Sequence, residues 1–335
     1  MKKPTDLSIF LGEFLSVELP TVRNVSKNTI FSYRDAYVLL LKYAAESKHI
    51  KAEQLKIKDI TKDFISGFLV WLEQERGNGI STRNQRLAAI HALFRYIQTQ
   101  APEFMFQSQQ ILSIPYKKCA KPTIRYLDMD ETKSLLAAPD TATQKGRRDH
   151  ALLCLLYDSG ARVQELADLK VMSLRLEAPA QVKLVGKGRK TRCVPLMEKT
   201  VAILNRYIDE NGLRNPSKMD APLFFNCHGE KLTRQGITYI LGKYADECHI
   251  MDISPHRIRA TKAMHLTDAD INPIFIRDFL GHTDLKVTEV YSKASIRMKQ
   301  KALDKLGNQH EPIPEEKTAW NKNGELMDWL LSLSH

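Results

Sequence analysis

One basic, proline-interrupted stretch, Ser113 to Tyr126 (SIPYKKCAKPTIRY), divides this chain into two parts that are not expected to share a core. On both sides of it apolar residues recur at three- and four-residue spacing, and inside it that spacing lapses. Residues that precede proline are also pushed toward extended backbone, so no helix should run through. At about 150 residues per domain, 335 residues leave room for two cores. The expected organisation is a helical unit over 1–112, a basic linker over 113–126, a second unit over 127–307 and a tail over 308–335. The tail is polar and proline-containing from Asn308 to Glu316. It then places Leu326, Trp329, Leu330 and Leu333 at the spacing of an amphipathic helix.

The first unit reads as helices. Ser26 is a candidate N-cap for a helix whose apolar face is Ile30, Tyr33, Tyr37, Leu40, Leu41 and Ala44. Thr61 caps a second, with Phe64, Ile65, Phe68, Leu69 and Leu72, until Gly77 and Gly79 break it. A third is expected to open at Ser81 and to bury Leu87, Ile90, Leu93, Phe94 and Ile97. Arg83, Asn84 and Arg86 fall in its first turns, where they form a candidate DNA-reading face or, more plainly, solvate a helix surface. In the second unit, Asp128 and Glu131 have the spacing of a capping box. His150 to Asp158 is apolar nearly all round and predicts a central buried helix stopped at Ser159-Gly160. Gln181 to Val185 and Thr191 to Pro195 alternate as the two strands of a hairpin whose tip is Gly186-Lys187-Gly188-Arg189-Lys190. Helical segments resume from Lys199.

Fifty Lys and Arg against 39 Asp and Glu give a net charge of +11, which makes a polyanion the leading partner and an acidic substrate the next. Lys117, Lys118, Lys121 and Arg125 in the linker suit DNA phosphates, and a positive linker between two basic units adds sequence-independent affinity through counterion release. A hydrophobic content of 43% is too high for a disordered chain. No apolar run reaches the roughly 18 residues of a membrane span, and Met-Lys-Lys-Pro-Thr-Asp is not followed by a signal-like apolar stretch, so a cytoplasmic protein without a membrane partner is expected. The five cysteines stand singly and are expected to be buried thiols. No nucleotide or metal motif is present, so no cofactor is expected and the chemistry must come from ordinary side chains.

Four local patterns stand out together: Ser159-Gly160-Ala161-Arg162-Val163-Gln164-Glu165-Leu166, Val185-Gly186-Lys187-Gly188-Arg189-Lys190-Thr191-Arg192, Pro255-His256-Arg257-Ile258-Arg259, and Leu280-Gly281-His282 followed by Tyr291. Each alone has a plain structural explanation. Their combination and order resemble the tyrosine recombinase (phage integrase) family, strongly over Tyr126 to Leu306, with Ser26 to Ile97 similar to the core-binding domain that precedes the catalytic one. The resemblance implies a multidomain α and α+β fold: an N-terminal helical core-binding (DNA-binding) domain and a mainly helical catalytic domain with a small antiparallel sheet. It implies catalytic roles for Arg162, Lys187, His256, Arg259 and His282, a nucleophile at Tyr291 and a supporting Glu165. Lys190 lies in the same hairpin and is an alternative to Lys187. The chain departs from the pattern at Ala260, where many members have a second histidine, and at Glu289, where a second threonine often precedes the tyrosine. The runs Thr261-Lys262-Ala263-Met264-His265-Leu266 and Ile276 to His282 look most like transposases of bacterial insertion elements.

The residue types suit phosphoryl transfer. Attack by a hydroxyl on a phosphodiester builds charge on the nonbridging oxygens, and cationic donors must offset it. Guanidinium stays charged and offers a planar fork to those oxygens. His256 and Arg259, three apart, would reach one locus from a helix. Tyrosine, with an ordinary pKa near 10, needs a base or a positive field to attack at neutral pH. His256 is the candidate base, Lys187 the candidate acid for the leaving 5′ oxygen, and His282 a hydrogen-bond donor to the phosphate. The resemblance further implies a double-stranded DNA partner and four protomers in a synaptic complex, with the tail helix docking on a neighbour. Alternatives are an integrase or resolvase with the same chemistry, a type IB topoisomerase, a DNA-binding regulator that keeps only the fold, and a metal-dependent nuclease.

Overall fold

The computed structural model describes residues 4–119, 124–186, 190–282, 284, 288, 290, 291 and 295. The tail over 308–335, Lys187, Lys121 and Glu289 lie outside the described residues. The chain forms two compact units, Met1–Pro122 and Thr123–His335.

The first unit is helical: α1 (Asp6–Glu13), continued by a wider helical stretch over Phe14–Val22, then α2 (Lys27–Lys48), α3 (Lys62–Gln74), α4 (Ile80–Gln100) and α5 (Met105–Leu112). Ser26 and Thr61 cap α2 and α3 as expected, each accepting a backbone N–H three residues on. The third helix starts earlier than predicted, because Gly79 is the N-cap of α4 and Ser81 sits within its first turn. Leu87, Ile90, Leu93, Phe94 and Ile97 are buried, and the core they join includes Tyr37, Tyr43, Phe64, Phe68 and Trp71. The Tyr37 hydroxyl donates to the carbonyl of Ala89 at 2.8 Å and ties α2 to α4.

The second unit contains α6 (Met129–Ala137), α7 (Gln144–Ser159), α8 (Val163–Ala167), β1 (Leu174–Arg175), β2 (Gln181–Val185), β3 (Thr191–Pro195), α9 (Glu198–Glu210), α10 (Arg234–Glu247), α11 (Pro255–Asp268) and α12 (Pro273–Leu280). Asp128 and Glu131 form the capping box of α6. α7 is the buried central helix, with Ala151 to Leu156 all inside. The three strands form one antiparallel sheet in the order β1-β2-β3, with Val182 opposite Val194 and Leu184 opposite Arg192. Helical segments resume after the hairpin as expected, separated between Glu210 and Arg234 by a stretch that contributes to two isolated bridges, Lys170 with Pro222 and Phe225 with Lys231. One expectation needs correction. Only Cys154 is buried, while Cys119, Cys193 and Cys227 are exposed and Cys248 is half-buried.

The basic stretch is not a free tether at its ends. Ile114 is buried in the first unit's core, and Ile124 and Tyr126 pack with the α11–α12 cluster of the second. No helix among the described residues is long and apolar enough to cross a membrane.

Candidate active site

Two helices of the second unit end in glycine, and the site is built on their ends. α7 stops at Gly160 (φ 54°) and α12 at Gly281 (φ 65°), both in the left-handed region that a Cβ disfavours. The last carbonyls of a helix have no partner within it and carry its negative end. At α12 three consecutive carbonyls are each taken by a different arginine: Phe279 accepts from Arg192 Nε at 3.0 Å, Leu280 from Arg259 Nη2 at 2.5 Å and Gly281 from Arg162 Nη2 at 3.2 Å. Arg259 also donates from Nη1 to the carbonyl of Gly160 at 2.6 Å, so one buried guanidinium joins both helix ends.

Glu165 is the carboxylate of this cluster. It is 4% exposed and accepts four hydrogen bonds: from the Arg162 amide at 2.8 Å, Arg162 Nη1 at 2.7 Å, Arg192 Nη1 at 2.9 Å and Arg192 Nη2 at 2.7 Å. Burial by itself would raise its pKa. The hydrogen bonds and charge of Arg192, with the hydrogen bonds from the Arg162 amide and side chain, outweigh it and hold the carboxyl at about 2. Arg162 is the N-cap residue of α8, and its side chain remains 41% exposed, open to a ligand. The Arg259 guanidinium is pulled down to about 10 by burial and by the like charges of Arg162 and Arg192, and is still a cation at neutral pH.

His282 follows the α12 cap directly. Its Nδ1 lies 2.9 Å from the hydroxyl of the buried Thr288, and its ring stacks on Tyr291 with centroids 6.2 Å apart and an interplanar angle of 16°. Burial, then the charges of Arg259, Arg162 and Arg192, lower its pKa to about 4, so the imidazole is neutral. Tyr291 is 6% exposed; burial raises its pKa and the charge of Arg259 partly counters this. His256 stands exposed in the first turn of α11, three residues before Arg259, behind the cap formed by Ser254 and Pro255. A cleft of about 370 Å³ opens over the cluster, lined by Arg162, Gly186, Lys190, Thr191, Arg192, Arg277, Asp278, Gly281 and His282.

The structure therefore gathers Arg162, Glu165, Arg259, His282 and Tyr291 at one helix end, with His256 in the first turn of α11 and Lys190 at the cleft. Two participants were not singled out from sequence. Thr288 had the signal of lying three residues before Tyr291 on a helical period. Arg192 had a stronger one, since strand alternation places it on the same face as the buried Val194, where a charge needs a partner.

The three side chains of the candidate DNA-reading face of α4 make contacts within their own unit, with Arg83 buried and Asn84 and Arg86 half-buried. Arg83 is 6% exposed, faces Glu73 at 3.3 Å and donates to the carbonyl of Pro115 at 3.4 Å. The Asn84 amide brackets Lys117, accepting its N–H at 3.1 Å and donating to its carbonyl at 2.8 Å. Arg86 donates to the carbonyl of Ser32 at 3.1 Å. These side chains hold the start of the linker and α2 in place, since buried polar groups take the nearest partners. Lys117 pairs with Glu73 at 2.7 Å and Arg125 with Asp252 at 2.5 Å, both remaining exposed, as does Lys118. His265 bridges the Tyr157 hydroxyl at 2.9 Å and the Leu127 carbonyl at 3.0 Å.

Comparison with known proteins identifies the family of the chain. Residues 125–297 match the family described as "Phage integrase family", and residues 13–100 match "Phage integrase, N-terminal SAM-like domain". Over 341 residues the chain is 34% identical to y4rC of Sinorhizobium fredii, with 99% of this chain and 100% of that protein covered. It is 31% identical over 291 residues to the tyrosine recombinase XerD of Listeria monocytogenes, covering 85% of this chain and 93% of XerD. In fold it resembles the XerH site-specific recombinase bound to palindromic difH substrate, with a TM-score of 0.70 at 21% identity over 84% of this chain and 81% of that one. The chain belongs to the phage integrase family, the tyrosine recombinases, and is a member of a family of site-specific DNA recombinases.

Proposed function

We propose that this protein cleaves and rejoins DNA through a 3′-phosphotyrosyl link on Tyr291 and thereby excises and integrates a mobile element. The observation that carries the reading is the convergence of Arg162, Arg259 and His282 on one helix end, with Tyr291 stacked on His282. Arg162 and Arg259 grip the nonbridging oxygens and offset the charge that grows in the in-line transition state. With Nδ1 turned to Thr288, His282 presents Nε2 as a neutral donor to the same phosphate. His256 accepts the proton of the Tyr291 hydroxyl as its oxygen bonds to phosphorus. The bond to O5′ breaks, and that oxygen takes a proton from Lys187 or from Lys190 on the hairpin. The new ester keeps the energy of the diester, so a 5′-hydroxyl from another strand can reverse the step without a nucleotide cofactor. Since Tyr291 is buried, its hydroxyl has to be released toward DNA before cleavage.

Strand exchange joins two duplexes, which calls for four protomers, and the helical spacing of Leu326, Trp329, Leu330 and Leu333 in the tail is the sequence feature that supports its tying neighbours together. The transposase reading draws on the runs at Thr261–Leu266 and Ile276–His282. Lys118 and Lys121 are proposed to meet phosphates, as are Lys117 and Arg125 once their pairs with Glu73 and Asp252 open; Arg83 and Asn84 brace the backbone at Pro115 and Lys117 within the first unit.

The test uses a duplex selected by binding from a randomised pool and then nicked beside the cleavage position, so that the 5′ product diffuses away. A denaturant-stable protein–DNA adduct that disappears in Tyr291→Phe is expected. Binding without an adduct would point to a regulator on this fold, and cleavage abolished by EDTA would point to a metal-dependent nuclease. Four protomers with two duplexes, reduced to smaller complexes when residues 308–335 are removed, are expected by mass photometry. Detection of an excised circular junction in cells would support the mobile-element role.

A further inference from the structure

A charged side chain on the core face of an edge strand needs an explanation. Arg192 lies on β3 opposite the buried Leu184 and on the same face as the buried Val194, and its side chain is only 11% exposed. Desolvating a guanidinium is costly unless its donors are matched. Three of them are: both Nη atoms fork onto Glu165, and Nε meets the carbonyl of Phe279. The stem runs against the α12 cap, so closely that a Cβ on Gly281 would stand 2.9 Å from Arg192 Cδ and 3.1 Å from its Nη1. Arg192 therefore touches the carboxylate that holds Arg162 and the helix end that carries His282.

We propose that Arg192 is a positioning residue of the strand-exchange site: its fork on Glu165 and its bond to Phe279 hold Arg162 and His282 in register with the transferring phosphate. The proposal rests on the phosphotyrosyl reading above. Two consequences follow from removing the side chain. Glu165 would be left with Arg162 as its one guanidinium partner, drawing that side chain away from a phosphate and neutralising it. The end of α12 would lose one of three arginine contacts, and His282, the next residue after the cap, would lose its fixed direction.

The experiment compares Arg192→Met, Arg192→Lys and Arg162→Ala with wild type in single-turnover adduct formation. It uses the selected nicked duplex with either a phosphate or an uncharged methylphosphonate at the cleaved position. Both Arg192 variants are expected to slow adduct formation on the phosphate by about 10²-fold, the cost typical of misplaced reacting groups. DNA affinity should be little changed. Lysine keeps the charge but cannot make the fork, so it should not rescue. On the methylphosphonate, where no second negative charge needs an arginine, the deficit of Arg192→Met should shrink together with that of Arg162→Ala. If Arg192→Met does not fold, Arg192→Lys carries the comparison on the phosphate duplex. A variant as fast as wild type would overturn the proposal. So would a deficit of equal size on both duplexes, which is what mere loosening of the sheet would give. Absence of any wild-type adduct would instead remove the phosphotyrosyl reading on which the proposal stands.

Discussion

Glu165→Gln tests the electrostatic account of the site. The carboxylate takes four hydrogen bonds from two guanidiniums and an amide at 2.7 to 2.9 Å, inside a cluster of three arginines. Glutamine keeps one acceptor oxygen and turns an NH₂ toward groups that are themselves donors, so at least two of the four bonds are lost. Two routes give the size of the effect. The native environment holds the carboxyl at about 2 instead of 4.5; at 1.36 kcal/mol per pH unit that amounts to about 3 kcal/mol. Removing one partner of a buried ion pair costs about 3–5 kcal/mol. A loss near 3 kcal/mol should lower the melting temperature of a unit this size by about 10 °C.

The sign with pH follows from the same values. A carboxyl whose native pKa lies below its ordinary 4.5 adds stability that is present above 4.5 and is lost as pH falls toward 2. Urea unfolding of wild type and Glu165→Gln at about pH 6 should differ by the full amount, and the two should approach each other at about pH 3. Equal midpoints at the higher pH would refute the argument. A gap of the same size at both values would show that the loss is one of shape and not of charge.

Three further outcomes are expected. Gly281→Ala places a Cβ at a φ of 65° and 2.9 Å from Arg192 Cδ, so it should cost more than about 1 kcal/mol in urea unfolding and slow adduct formation; a fully stable variant would contradict the close approach. NMR titration of the His282 ring in the free protein should give a midpoint at about 4, and one near 6.5 would show that burial and the arginines do not govern it. Asn84→Ala should lose about 1 kcal/mol per bond to Lys117 while leaving the salt dependence of DNA binding unchanged, whereas Lys118→Ala should flatten the log–log slope by about 1; the opposite pattern would restore Asn84 to the DNA-contacting face.

What could be read in the sequence was what local chemistry decides. The caps at Ser26, Thr61 and Asp128, the stop at Gly160 and the bounds of the β2–β3 hairpin depend on one turn of chain or on strict alternation. What escaped depends on partners far away in the chain. Arg83, Asn84 and Arg86 have the composition of a DNA-facing surface, and only tertiary packing reveals that Pro115, Lys117 and Ser32 take their donors. β1 is two residues long, too short for a period to register. In the site, the order of the motifs pointed to the positions now found around α12. Arg192 stands in the same hairpin motif, but its role is not legible there, because its partner Glu165 is 27 residues earlier and Phe279 is 87 later.

The way the arginines are held bears on why the site is suited to an anion. A guanidinium oriented by a carboxylate is fixed but largely neutralised; one oriented by carbonyls is fixed and keeps its charge. Here one carboxylate serves Arg162 and Arg192, while Arg259 is placed by the carbonyls of Gly160 and Leu280. Both lie at the negative ends of helices that close on left-handed glycines, where a cation is favoured. The surplus positive charge then sorts the neighbouring groups. Arg259 falls only to about 10 and keeps its proton at neutral pH, whereas His282, in the same field, falls to about 4 and loses its own. One environment thus yields permanent cations beside a neutral imidazole that can donate without adding another like charge, the separation of roles that the proposed phosphoryl transfer requires at neutral pH.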